Sequence, residues 1–202
     1  MLKLFRTLAA ITTLPIATLI LQSRIALAAT FDLIEATVPE IQAAIDASVI
    51  NSEYLVQQYL NRIAAYDDQG PALNSIIELN PNALETAKAL DLERSLSGPR
   101  GLLFGIPILL KDNIDTFDMP TTAGGLIFKD SIPPDDAFIT QQLRDAGAII
   151  LGKVNLTEFA AFIDLDLPAG FSVIGGQTLN PYGPGNFQVG GSSSGSAHDL
   201  EG

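Results

Sequence analysis

From Gly105 to Asn113 the chain reads Gly-Ile-Pro-Ile-Leu-Leu-Lys-Asp-Asn. The apolar run Ile106 to Leu110 is bracketed by a glycine and by polar turn formers, the pattern of a short strand buried on both faces. Downstream, Asp136 to Ala146 carries helical spacing. Ala148 to Leu151 is a second short apolar run, expected to enter a helix near Asn155, and Gly124 to Phe128 fits a further short strand. Strand, helix, strand is α/β order. The Gly- and Pro-rich stretch from Pro168 to Gly195 suits loops over the carboxyl ends of strands, where α/β proteins place ligands.

Upstream the pattern is helical. Thr37-Val-Pro-Glu40 reads as a capping box with proline in the first turn, followed by Ile41, Ala44, Ile45 and Val49 at helical spacing. A second helix is predicted from Asn51 or Ser52, with Leu55, Val56, Tyr59, Leu60 and Ile63 on one face and Asp67, Asp68, Gly70 and Pro71 ending it. A third is predicted from Pro81 to Arg94, with Leu84, Ala87 and Leu90 inward.

Two features carry chemistry. Lys111 ends the buried run, and residues 190–197 read GGSSSGSA. Burial disfavours the charged amine, so a lysine at such a place can act as a base; a lysine ending a strand points either into a pocket or out to solvent. Glycines at 190, 191 and 195 permit backbone conformations that bring several N–H groups and hydroxyls to one point. By itself such a loop also suits a flexible linker or an anion-binding turn.

Further segments occur in one order with these: GIPILLKDNIDT (105–116), MPTTAGG (119–125), LGKVNLTEFA (151–160), GGQTLNPYG (175–183) and GGSSSGSA. Together they resemble the amidase signature family, in which a lysine, a serine on a cis peptide bond and a second, nucleophilic serine cleave carboxamides. The resemblance implies an α/β fold of that type, a mixed sheet covered by helices behind an N-terminal helical segment. It also implies that Lys111 is the lysine and Ser192 the cis-serine, with Gly190, Gly191 and Ser193 on the substrate side. Members usually carry glycine where this chain has Ser194. The family's nucleophile lies in a later GTDTGGS-type stretch, which residues 1–202 do not contain, and the matched region is the N-terminal part of such a domain.

Lys3 and Arg6 precede the apolar stretch Leu8 to Leu21, and Ala26-Leu27-Ala28 has the small-x-small form of a signal-peptidase site. Residues 1–28 are therefore expected to be an export signal and 29–202 the amidase-like part. An uncleaved membrane anchor is the alternative, disfavoured by Pro15 and the short apolar length. No stable membrane span is expected after cleavage, and the mature protein would be periplasmic or extracellular.

The 202 residues, 47% hydrophobic and 17% charged, suffice for one domain with a substantial core. The net charge of -12, with no basic run, argues against a nucleic-acid partner. Removing Lys3, Arg6 and Arg24 with the leader, which has no acidic residue, takes the side-chain charge to -15. The absence of cysteine removes disulfides, thiolate catalysis and Cys-type zinc sites.

Other candidates are weaker. Asp112 and Asn113 can orient the site or simply turn the chain after the strand. Lys153 and Glu158 read as polar residues around a helix start, and Thr121, Thr122 and Gly175-Gly176-Gln177 as cavity lining. His198, the one histidine, stands beside Asp199, but sequence neighbours rarely face each other as a triad requires. One histidine without cysteine supports no metal site, and no cofactor is expected.

The function expected is amide hydrolysis of a small-molecule or peptide carboxamide by serine chemistry, with this fragment inactive alone and poorly soluble. The alternative is a non-catalytic remnant or binding module that keeps the Gly/Ser loop. The tRNA-linked glutamine amidotransferase subunit shares the family, but it works in the cytosol, which an export signal argues against.

Overall fold

The computed structural model describes residues 31–198; the expected leader, Asp199 and the last three residues lie outside the described residues, as do the side chains of Ala197 and His198. Helix α1 spans Val38–Asp46. Its capping box forms through Glu40, whose carboxylate accepts from the Thr37 N–H at 2.8 Å and from the Thr37 hydroxyl at 2.6 Å. Val49 falls beyond the helix. Helix α2, Ser52–Tyr66, starts at the Asn51 side chain, which accepts from the Tyr54 N–H, while Asp91 accepts from the next two free amides, Ser52 and Glu53. Helix α3, Ala83–Ser97, turns Ala83, Ala87 and Leu90 inward and ends at Gly98, whose φ of 77° suits glycine.

Three strands make the main sheet: β1 Ile76–Leu79, β2 Pro107–Lys111 and β3 Ile149–Val154. The order is β1-β3-β2, with β2 parallel to β3 and β1 antiparallel to it, so the sheet is mixed. All six residues of β3 are buried, as expected of a central strand covered on both faces. Gly152 fits there because a Cβ would press on the Glu78 carbonyl of β1. Ile149 and Leu151 join Val56, Ala87, Leu90 and Phe104 under α2 and α3. Ile150 packs with Leu110 and Met119 on the opposite face, against Leu143 of α4, Phe138–Asp145. Between Ile108↔Ile150 and Leu109↔Gly152 the register slips by one residue, a bulge that passes over Leu151.

Two expectations need correction. Gly124 to Phe128 is not a strand: Ala123 and Gly124 take positive φ (50° and 78°), and Leu126–Phe128 form a 3-10 turn. The apolar side chains there stay exposed, Ile127 by 82%. Nor does β3 lead into an α-helix near Asn155. It continues to Val154, and the chain then makes a short 3-10 turn, Glu158–Ala161, in which Phe159, Ala160 and Ala161 all take positive φ. A two-residue hairpin follows, β4 Phe171–Ser172 with β5 Gly176–Gln177, and the chain reaches helix α5, Ser194–His198.

Candidate active site

Lys111 is the last residue of β2, at the carboxyl end of a strand that runs parallel to its neighbour. Its Nζ lies 2.9 Å from Ser192 Oγ and 3.0 Å from Ser193 Oγ. These contacts join residues 81 and 82 positions apart. The lysine therefore points into the serine loop, and burial pushes its amine below the usual lysine range. An amine and a hydroxyl at this separation are within reach for proton transfer.

The serine loop is held from behind by the residues that leave β3. The Thr157 N–H donates to the Ser192 carbonyl at 3.1 Å, and the Gly195 N–H donates to the Asn155 carbonyl at 3.0 Å. Glycine is required at two of these points. A Cβ on Gly191 would sit 2.6 Å from Thr157 Oγ1, and one on Gly195 would sit 2.5 Å from the Ser75 carbonyl oxygen. Gly190 takes a φ of 67°, and the Gly191–Ser192 peptide bond is cis. Ser194, buried at the start of α5, donates its hydroxyl to the Gly190 carbonyl at 3.0 Å, so it closes the loop on itself.

Asn155, fully buried, is the hub of this support. Its amide donates to Asn74 O, Gly176 O and Thr178 Oγ1, and its carbonyl oxygen accepts from Ser172 Oγ and the Leu156 N–H. The hairpin and the residues just before β1 are thereby tied to the Asn155 side chain, and the serine loop to its backbone carbonyl. Sequence reasoning passed over Asn155 and Thr157, although both lie inside the quoted stretch 151–160.

Lys153 also departs from its reading in the sequence. Lys153 is in β3, wholly buried rather than placed around a helix start, and its Nζ donates to Ile114 O at 2.8 Å, Thr121 Oγ1 at 3.0 Å and Pro120 O at 3.2 Å. Asp112 is buried too; it accepts from the Thr122 hydroxyl and from the Thr122 and Gly124 N–H groups, and lies 3.9 Å from Lys153 Nζ. Thr121 and Thr122 serve these two side chains rather than lining a cavity, while Asn113 is exposed. Gly175 packs against the Asn155 amide, and Gln177 bonds to Ala169 O and Thr178 O. Glu158 accepts from the Val173 N–H, holding the hairpin loop.

A half-buried lysine held on a serine loop at the carboxyl edge of a mixed sheet defines a class, and comparison with known proteins agrees. The sequence profile of the amidase family matches residues 54–198, and the chain belongs to that family. A probable amidase of Arabidopsis thaliana is 42% identical over 178 residues, 87% of this chain and 34% of the plant protein. The native peptide amidase of Stenotrophomonas maltophilia superimposes with a TM-score of 0.78 at 49% identity, over 81% of this chain and 33% of that one. A peptide amidase solved with the competitive inhibitor chymostatin gives the same TM-score, identity and coverage. The chain thus spans about a third of the length of the relatives it matches.

Proposed function

We propose that this chain supplies the lysine and the first serine of an amide hydrolase of the Ser-Ser-Lys type, acting on peptide or small-molecule carboxamides. The observation that carries the reading is the 2.9 Å contact between a half-buried, pKa-lowered Lys111 and Ser192. In its neutral form Lys111 accepts the Ser192 hydroxyl proton while Ser192 accepts the proton of a nucleophilic serine supplied from outside residues 1–202. That serine adds to the amide carbonyl, the C–N bond breaks with return of a proton to the leaving amine or ammonia, and water then hydrolyses the acyl ester. Ser193, exposed and within reach of Lys111, and the backbone at Gly190 and Gly191 face the substrate in this reading. The likeness to an inhibitor-bound peptide amidase supports a peptide-like substrate. No cofactor is required. Export of the protein through residues 1–28 belongs to the same reading, since the Lys3, Arg6 and Ala26-Leu27-Ala28 pattern precedes the amidase region.

The test is a chimera in which residues 31–198 replace the equivalent part of the S. maltophilia peptide amidase, assayed for ammonia release from amidated peptides. The chimera is expected to turn over, and Lys111→Ala or Ser192→Ala in it to lose about 100-fold or more. The 202-residue chain alone is expected to release no ammonia. A folded chimera whose activity ignores Lys111→Ala would defeat the reading, and a folded but silent one would favour a binding module or remnant.

A further inference from the structure

Lys111 and Asp112 are neighbours in the chain but look to opposite faces of the sheet. In the parallel ladder Lys111 pairs with Val154 and Leu110 with Lys153. Side chains alternate along a strand, so Leu110, Asp112 and Lys153 share one face and Lys111 takes the other. Lys153 is 0% and Asp112 1% exposed, which makes each charge costly without the other. The carboxylate is met by three donors from Thr122 and Gly124, and the ammonium by two carbonyls and the Thr121 hydroxyl. Every one of these partners except Gly124 lies between Ile114 and Thr122, the segment that leaves Lys111.

We propose that Lys153 and Asp112 are a positioning pair for Lys111: Lys153 cancels the negative charge that the chain places directly after Lys111, and the two together clamp the 112–124 segment that fixes where β2 ends. The inference rests on the reading of Lys111 as the base. An uncancelled carboxylate one residue away would hold the Lys111 amine protonated; cancelled and turned to the far face, it leaves burial as the influence on that amine. The other charges around Lys153 are Asp115 and Asp118 in the segment after β2 and Asp136 before α4. Arg144 of α4 already pairs with Asp118 at 2.7 Å and with Asp136 at 2.9 Å. Asp112, 3.9 Å from Lys153 Nζ, is the carboxylate within ion-pair reach of Lys153.

The experiment is trace labelling of the protein with acetic anhydride across a pH series, with each lysine read by mass spectrometry. The exposed Lys88 and Lys129 serve as internal references. Lys153→Met leaves Asp112 uncancelled and is expected to move the Lys111 labelling midpoint to higher pH. Asp112→Asn leaves the Lys153 charge uncancelled and is expected to move it to lower pH. The double variant removes both charges, a change buried pairs often tolerate, and is expected to bring the midpoint back toward that of the unsubstituted protein. A pair that only held the fold together would shift the midpoint in the same direction in both single variants, with no recovery in the double. That result, or no shift, overturns the proposal. If Lys153→Met fails to fold, Asp112→Asn decides alone: a midpoint that rises or stays overturns the pairing. A Lys111 midpoint equal to those of Lys88 and Lys129 in the unsubstituted protein would instead overturn the base reading itself.

Discussion

Gly195 and Asn155 meet backbone to backbone: the Gly195 N–H donates to the Asn155 carbonyl at 3.0 Å, and a Cβ on Gly195 would stand 2.8 Å from both the amide nitrogen and the carbonyl oxygen of Asn155. The loop that carries Ser192 is thus pressed directly on the end of the central strand, with no side chain between them.

Gly195→Ala should force the two segments apart. Because the colliding atoms are backbone, they cannot swing aside as a flexible side chain would. A loss of about 2 kcal/mol is expected, roughly 6 °C in Tm for a chain of this size. Thermal melts followed by circular dichroism would check it, and an unchanged Tm would show that the loop sits elsewhere.

Asn155→Ala should cost more, about 3 kcal/mol, since it removes the acceptor of the buried Ser172 hydroxyl and the side-chain donor to the Gly176 carbonyl, while the Asn74 carbonyl keeps only its bond from the Thr178 hydroxyl. Urea unfolding measures this. Hydrogen exchange at the Gly195 N–H adds a local readout and should speed up in the variant.

Stability should also depend on pH through Lys111. Its native pKa is lowered, so between that value and the ordinary 10.5 the unfolded chain binds more protons than the folded one. Stability from this group is full above the unfolded value and is lost as pH falls through the native one. The free-energy difference between the unsubstituted protein and Lys111→Met should therefore shift in favour of the unsubstituted protein as pH rises through that window. Denaturant midpoints at a series of alkaline pH values test the sign, and a flat difference would contradict a desolvated amine.

Exported protein should begin at or near Ala29, the residue after Ala26-Leu27-Ala28. N-terminal sequencing of material from an expressing cell reads this directly. Met1 retained on membrane-bound protein would point to an anchor.

The parts of the fold that follow from local rules were legible in the sequence. Helices α1 and α2 announced themselves through Thr37, Glu40 and Asn51, and Lys111 through the apolar run before it. Strand β1 did not, because four residues with a polar Glu78 in the middle carry little periodicity, and pairing with the buried β3 is what makes them a strand. The helix expected near Asn155 failed for a related reason. Asn155 spends its side chain on the hairpin and the chain beyond it turns through positive φ, neither of which hydrophobic spacing records. Lys153 was read as a polar residue around a helix start because nothing near it in the chain shows what it bonds; its three acceptors come from a segment more than thirty residues earlier.

The order β1-β3-β2 also bears on how the chain is made. The central strand is the last of the three to leave the ribosome, so β1 and β2 lack their shared partner until Val154 has emerged. Neither can begin from a hairpin with its neighbour in sequence; every rung of the sheet closes a loop of roughly 40 residues or more, which slows its formation. A nascent chain that has emerged only as far as Ala148 would therefore expose both edges to other chains, and emergence of the six residues of β3 would pair them.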